Sequence, residues 1–437
     1  MLPVSGPEHD RTDGTGQAPL AGPAPASTAQ SLRRTLREVV ETLAPIDRTP
    51  CSSGERRAAE WLAERLQAVG VSVELEDEPS WGTFPPTATG LGLLGITGAA
   101  LVLRGRRAAG ALVAAAAMAG IVDEAQNGPR ILRRILRRRR QTVNVVGRVG
   151  FDAWAEGAEP GTLVVIAHHD APQTGMLFDQ TLQRRLYERA PQVLEATKTP
   201  PPQWWVGLAG PLATIAAAAG LHRGLARAGV AVGAFGTALV ADVWRSETVQ
   251  GANDNLSGVA ALVGLAELLR DRPVSGARVM LVSCGAEETL QDGIRAFVAR
   301  HREELDPERT WFVNLDTVGS PHLVMLEAEG PIWMESYAGG WLSDLVAARA
   351  ERLGVVLHRG YRARASTDSI IPTRAGYPTA TLVSMTDWRS PANYHLPSDV
   401  PDNLDYATVR DATRLVYDVL TSLAALPDGQ HSTPLPS

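Results

Sequence analysis

The chain predicts an α/β three-layer sandwich, with helices on both faces of a mixed, mainly parallel sheet of about eight strands. Three observations carry that prediction. Short, β-branched runs bounded by turn residues recur at 71–75, 142–149, 162–167, 278–284, 311–316, 322–328 and 379–385, as strands of a buried sheet do. Helix-like periodicity lies around and between them, at 31–43, 54–69, 257–270, 291–304, 341–353 and 404–425, so strands alternate with helices. The 437 residues are 44% hydrophobic and 21% charged, a globular composition that excludes a fibrous or wholly disordered chain.

Residues 1–30 are mostly Pro, Gly, Ala, Ser and Thr and read as a disordered tail without the charged start and apolar core of a signal peptide. Residues 426–437 read as a second loose end. The stretches 31–43 and 54–69 are amphipathic, each turning one apolar face inward.

Two segments break the alternation. Residues 79–103 and 108–122 are uncharged and flank the basic turn Arg104–Arg107, while 199–221 and 228–241 are uncharged and flank His222–Arg227. Each reads as a helical hairpin, inserted at 85–140 and at 176–245. The second arm of each falls short of the roughly 20 apolar residues of a membrane span. A soluble four-helix appendage, or a surface that joins two copies of the chain, is the alternative. Abundant Ala and Gly leave little polar surface for water and favour close helix packing in lipid, so a membrane-associated, multi-pass chain is expected. After the first hairpin, RILRRILRRRR sets seven arginines between Arg130 and Arg140, a cluster suited to anionic headgroups of the cytoplasmic leaflet. The globular part, 31–84, 141–175 and 246–425, is therefore expected on the cytoplasmic side.

Charge and cysteine content narrow the function. The balance of 42 basic against 48 acidic residues gives −6, so nucleic acid is not an expected partner. Cys51 and Cys284, the two cysteines, read as free thiols packed as small apolar groups.

The chemistry sits at strand ends. TLVVIA runs into His168-His169-Asp170, where a parallel strand delivers side chains to a ligand crevice; Asp170 can orient His168 as a carboxylate behind a metal-bound imidazole, or this is a turn. GANDNLSG (251–258) precedes an apolar helix, and its Asn, Asp and Ser also suit an N-cap. RVMLVSCGAEETL ends in Glu287 and Glu288, adjacent side chains that point different ways, so one can bind metal while the other handles a proton. WFVNLDTVG ends in Asp316, and NYHLPSD places His395 in a Pro-marked loop. Two imidazoles and three carboxylates suit a pair of zinc ions, because a carboxylate can bridge two metals.

In order and local sequence these pieces resemble the co-catalytic zinc exopeptidases of the aminopeptidase Y and bacterial leucyl aminopeptidase type. HHD, GANDNLSG, AEETL, NLDTVG and YHLPSD match the family's HxD, GAxDNxSG, AEExxL, strand-end Asp and YHxPxD. The resemblance implies a peptide substrate and two zinc ions, with Asp254 bridging, His168 and Asp316 completing one site, and Glu288 and His395 the other. It implies that Asp170 orients His168 and that Glu287 is the general base. Tyr394 can donate to the developing oxyanion or pack against its loop. Trp388 and Arg389 line the pocket or brace that loop. Cys284, at a buried strand end without a base, is a poor nucleophile. The 86 residues between His168 and Asp254 exceed the family's short loop, and ASTDSIIP stands where Ser-Asp-His is commoner. If 142–149 and 162–167 pair antiparallel, both hairpins emerge on the active-site side. A non-catalytic membrane scaffold or receptor, and a one-zinc glutaminyl-cyclase-like transferase, are the alternatives.

Overall fold

A computed structural model of the chain describes residues 26–151, 160–199 and 203–426. Nine strands make one mixed sheet: β1 (Ser72–Ser80), β2 (Arg140–Val149), β3 (Gly161–His168), β4 (Ala277–Cys284), β5 (Thr310–Leu315), β6 (His322–Glu329), β7 (Glu335–Ser336), β8 (His358–Ala363) and β9 (Thr379–Met385). Their order is β1-β2-β4-β3-β5-β9-β6-β7, with β8 beside β6. The centre, β4-β3-β5-β9, is parallel, and β1 and β2 close one edge antiparallel. The expected class is present, and all seven runs named above are strands; the two further ones are the short β7 and the polar HRGYRA of β8, which has no apolar alternation to announce it.

The expected pairing of 142–149 with 162–167 does not form. β4 lies between them, antiparallel to β2 and parallel to β3. The start of β2 still faces the His168 end of the sheet, so the consequence drawn for the first hairpin survives the change of neighbour.

The first two helices are α1 (Ala26–Leu43) and α2 (Ser53–Gln67). α1 begins inside the stretch expected as tail, so 26–30 are helical; residues 1–25 and 427–437 of the two expected tails lie outside the described residues. Ser52 caps α2, its hydroxyl accepting from the N–H groups of Gly54 and Glu55. The first insertion holds α3 (Pro85–Leu103), α4 (Arg107–Ala125) and α5 (Ile131–Leu136); the second holds α6 (Thr181–Arg189), α7 (Pro191–Glu195), α8 (Trp205–Ala218) and α9 (Gly224–Arg245). The chain ends with α10 (Ser257–Asp271), α11 (Asp292–Arg300), α12 (Gly340–Leu353), α13 (Ile370–Arg374) and α14 (Tyr406–Leu423). α11 stops four residues short of its expected end at 304.

Period-two alternation divides the sheet's side chains between two cores. Leu163, Val165 and Ala167 meet α1, α2, α10, α12 and α14. Val164 and Ile166 face the opposite way, onto α11 and α13. All eight residues of β3 are buried.

The two hairpins pack into one four-helix bundle, α3 against α4 and α9, and α8 against α4 and α9. Small residues set the spacing: a Cβ on Gly98 would lie 2.9 Å from the Gly110 carbonyl oxygen, and one on Gly110 2.6 Å from that of Gly98. The second arms are longer than the uncharged runs indicated. α4 has 19 residues and α9 has 22, because each helix continues through the acids that follow its apolar run. α3, α4 and α9 are long and apolar enough to cross a membrane, and α8 is the shorter apolar helix. Leu93, Leu112, Leu212 and Phe235 are exposed on the bundle's outer surface.

Two other expectations change. The start of the second insertion is not hairpin, since Gln180 and Gln183 donate to Ser390, Pro391 and Trp388 at distances of 2.6–3.1 Å, which ties 176–195 to the globular part. The arginine cluster is not wholly a lipid-facing surface. Arg130 and Arg133 are buried, paired with Asp292 and Glu124 respectively, and Arg133 also donates to the Thr289 carbonyl. Arg134 and Arg138–Arg140 remain exposed.

Candidate active site

Three parallel strands deliver the centre. β3 ends on His168, its neighbour β4 ends on Cys284 just before Glu287 and Glu288, and β5 ends just before Asp316. The carboxyl ends of parallel strands form a crevice. Asp254 comes from the 252–256 turn that leads into α10. That turn is held from two sides. Asp399 accepts from the N–H groups of Asn253 (2.7 Å) and Asp254 (3.1 Å). Asn255 donates through Nδ2 to the Leu315 carbonyl (2.8 Å) and accepts at Oδ1 from Thr317 N–H (3.0 Å), which fixes Asp254 beside the end of β5. Glu287 and Glu288 follow Ala286, at φ 52°, and their N–H groups donate to the two oxygens of Asp170 at 3.1 and 2.9 Å.

The five candidate ligands converge. His168 Nε2 lies 3.3 Å from Asp254 Oδ1, and His395 Nε2 lies 3.2 Å from Asp254 Oδ2. One carboxylate thus offers one oxygen to each imidazole. Asp316 joins His168 and Asp254 in a group whose ligand atoms lie within 4.8 Å of one another, and Glu288 joins Asp254 and His395 in a second such group. Glu287 Oε2 lies 4.0 Å from His168 Nε2. Asp170 Oδ1 is 3.5 Å from His168 Nδ1, so its shorter bonds go to the Glu287–Glu288 backbone. Phe178 and Tyr394 flank His395, with ring centres 4.0 and 4.1 Å away.

The electrostatics call for a cation. Burial, then repulsion from Asp254 and Glu287, pushes the Glu288 carboxyl well above the usual range; burial, with Asp368, Asp316 and Asp170, does the same to Glu287. Asp316 is pushed up to about 6, by burial first and Asp254 second. Burial would raise Asp254 too, but hydrogen bonds from His168 and His395 outweigh it and hold that carboxyl below its ordinary value. Among the described residues the close ion-pair partners of this acidic cluster are histidines; the buried Arg48 acts on Asp170, Asp399 and Asp254 from further away, and the carboxylates outnumber these cations. Oxygen and imidazole donors, three protein residues to a cation and one carboxylate shared, fit zinc with a position left open on each ion.

Other expected residues take structural places. His169 is buried with Nδ1 3.0 Å from the Ser283 hydroxyl, and burial lowers its pKa to about 4. Burial and Asp368 push the Cys284 thiol well above its ordinary value, as a non-nucleophile requires. Trp388 donates from Nε1 to Gln180 (3.0 Å) and Arg389 bonds the Tyr361 hydroxyl, so both brace the loop.

Sequence reasoning missed several residues. Arg48 is fully buried and donates to the carbonyls of His169 (2.8 Å), Leu43 (2.8 Å) and Gln250 (2.7 Å), joining the HHD and GANDN segments; nothing in DRTP announces that. Asp399 stood inside YHLPSD without an assigned role. Asp368, inside the departing ASTDSIIP, is buried with neither carboxylate oxygen hydrogen-bonded and is raised to about 7 by burial and by Asp316 and Asp170.

The centre opens into a cavity shared with the helical bundle. Glu287, Glu288, Gln291, Tyr394 and His395 line one part of it, Phe178, Pro331 and Arg364–Ser366 of the globular part another, and residues of α3, α4, α8 and α9 much of the remainder.

Residues 234–420 match the profile described as Peptidase family M28. The fold is similar to the aminopeptidase from Aneurinibacillus sp. strain AM-1 (TM-score 0.55, 14% identity, 94% of this chain and 97% of that one). It is also similar to LapB from Legionella pneumophila (0.52, 12%, 92% and 76%) and to Fimbriiglobus ruber glutaminyl cyclase (0.50, 15%, 89% and 94%). At these identities the likeness is one of fold. The comparison with curated proteins gives no match.

Proposed function

From the match of residues 234–420 to Peptidase family M28, we propose that the chain is a zinc metallo-exopeptidase of that family, a membrane-associated aminopeptidase with two zinc ions per chain. The observation that carries the metal count is Asp254, which presents a separate oxygen to each of two imidazoles. His168, Asp254 and Asp316 would hold one ion, and Asp254, Glu288 and His395 the other. Zinc, when bound, lowers the pKa of water and polarises the scissile carbonyl.

The chain's own residues supply the rest. Glu287 faces the cavity beside both ligand groups, where its carboxylate takes a proton from the attacking water and returns it to the leaving nitrogen. Gln291 Nε2 donates to Glu287 Oε1 (2.5 Å) and so leaves Oε2 to that task. Asp170 holds the Glu287 and Glu288 backbone, keeping base and ligand in one arrangement. The Tyr394 hydroxyl, pushed well above its usual pKa by burial and by Asp254 and Glu288, stays protonated and can donate to the developing oxyanion.

The apolar outer surface of the bundle and its three span-length helices support insertion in a membrane, with the globular part on the cytoplasmic side beside Arg134 and Arg138–Arg140. The test is hydrolysis of matched free and N-acetylated peptides in detergent by the wild type and Glu287→Gln. The expected result is cleavage of free-amine peptides only, lost by roughly 100-fold or more in the variant with zinc content unchanged. Cleavage of acetylated peptides, or a variant as active as wild type, contradicts the reading. A peptide with N-terminal Gln separates the cyclase alternative, which would release ammonia and no free amino acid.

A further inference from the structure

We infer that the cavity inside the helical bundle is the binding site for a long aliphatic chain on the substrate's first residue, so that the enzyme acts on peptides whose N-terminus is strongly apolar or lipid-like. This rests on the aminopeptidase reading and names the substrate class of the same site.

The cavity begins at Glu287, Glu288 and His395 and continues between α3, α8 and α9 as far as Gly95 and Gly233. Gly95 lies ten residues beyond the start of α3 at Pro85, so the space reaches roughly 15 Å into the bundle at 1.5 Å per residue. That depth accommodates an extended alkyl chain of about ten carbons. Its walls repeat at helical spacing, through Ala88, Gly92 and Gly95 on α3 and Gly233, Gly236 and Val240 on α9, so one face of each helix borders it, although a Cβ on Gly95, Gly233 or Gly236 would come within 3.1–3.2 Å of Pro211, Ile96 or Val206.

The glycines do not all serve helix packing. A Cβ on Gly92 would meet Thr237 Oγ1 at 2.1 Å, a true close approach, whereas one on Gly207 meets nothing nearer than Ile121 at 3.7 Å. A side chain at Gly207 would begin without a clash, and it would grow toward the cavity that Gly207 lines.

The boundary between the apolar and the catalytic part carries an orphan acceptor. Gln291 is 2% exposed and lines the cavity; its Nε2 is used by Glu287 and the Ser366 carbonyl. Its Oε1 has no hydrogen-bond partner. A buried acceptor of this kind needs a donor, and the ammonium or amide N–H of a bound peptide supplies one where the polar part of the substrate ends. A donor-bearing head beside an alkyl tail is the shape the site describes. A substrate of that kind partitions into lipid, which the bundle's exposed apolar surface also faces.

The experiment measures kcat/KM in detergent for peptides alike except in the first residue, from alanine through leucine to 2-aminodecanoic acid. Two wall variants, Gly207→Leu and Ala88→Leu, are measured beside the wild type. Burying each further methylene is expected to raise kcat/KM roughly fourfold while the chain still finds wall to touch. In either variant the ratio of long to short substrate is expected to fall at least tenfold, and because it is a ratio, it does not depend on how much protein folds. Binding is read separately: a bromine on the alkyl chain should quench Trp204, which lines the cavity, with a saturable component absent in Trp204→Phe.

Equal rates for alanine and 2-aminodecanoic acid, or a long-chain preference untouched by both wall variants, would overturn the inference. So would quenching by a brominated phospholipid as tight as by the brominated peptide, since the cavity would then be a lipid site. If no peptide is hydrolysed but brominated peptide still quenches Trp204 saturably, the aminopeptidase reading fails and the aliphatic site stands.

Discussion

Asp254 and Glu329 illustrate what a buried carboxylate does with and without a metal in prospect. Asp254 is flanked by two imidazoles that point at separate oxygens. Glu329 instead accepts from the Tyr337 hydroxyl (2.9 Å) and the Thr367 hydroxyl (2.8 Å) at Oε2, and burial raises it from 4.5 to about 8. The folded protein therefore holds a proton that the unfolded chain releases above an ordinary glutamate pKa. Stability falls as pH rises between about 4.5 and 8 and levels off above that. Glu329→Gln should remove that slope, so its denaturation midpoint gains on the wild type from about pH 5 to pH 8; a pH-independent difference would contradict the assignment. Tyr394→Phe should lower kcat by roughly 100-fold with little change in KM if the hydroxyl serves the oxyanion, whereas a packing role moves KM and stability instead. The ligand residues were legible because each stands within a motif, at or just after a strand end, in the turn before α10, or in a Pro-marked loop. Glu329, inside β6, and Arg48, in the loop between α1 and α2, were not, because a buried polar group outside any motif has no local signature; its role depends on which carbonyls and hydroxyls the fold brings to it.

Elements follow the same division. The continuous apolar run of β3 and the helical spacing of α14 are visible in the chain because both faces of the strand and one face of the helix meet a core. β8 and α5 are not, since their residues are chosen by neighbours distant in sequence. α5 follows Arg130, and Arg133 within it is buried against Glu124 of α4 (Nε to Oε2, 2.8 Å) while bonding the Thr289 carbonyl beside Glu288. What read as a lipid-facing charge run thus ties the bundle to the loop that carries Glu287 and Glu288. Arg133→Met should cost about 3–5 kcal/mol by leaving Glu124 buried and unpaired, and should lower kcat through the 287–289 loop. Restoring neutrality with Glu124→Met should recover much of the stability but not of kcat. Denaturation midpoints and turnover of the two single variants and the double variant check both halves. Equal kcat in all four proteins would mean that the arginine has no part in the site.

At the scale of the whole molecule, the α/β domain supplies a centre at the carboxyl ends of its parallel strands, and the two insertions supply the walls around it. The sequence showed both insertions and their apolar character, because long uncharged runs are unmistakable. It could not show that they unite into one bundle or that a cavity runs from the bundle to Glu287, since both depend on how residues far apart in the chain meet in the fold. If the bundle is embedded in lipid, the protein should remain with membranes after alkaline carbonate washing and need detergent for release; release by carbonate would leave the bundle as a soluble wall. The central claim, two ions shared through Asp254, is tested most directly by stripping the purified protein with chelator. Zinc bound per chain and recovered peptidase activity are then titrated together, for the wild type and Asp254→Asn. The account predicts two zinc ions per wild-type chain, full activity only at the second, and loss of tight binding at both sites in the variant. One zinc per chain with full activity, or a variant that still binds two, would contradict it.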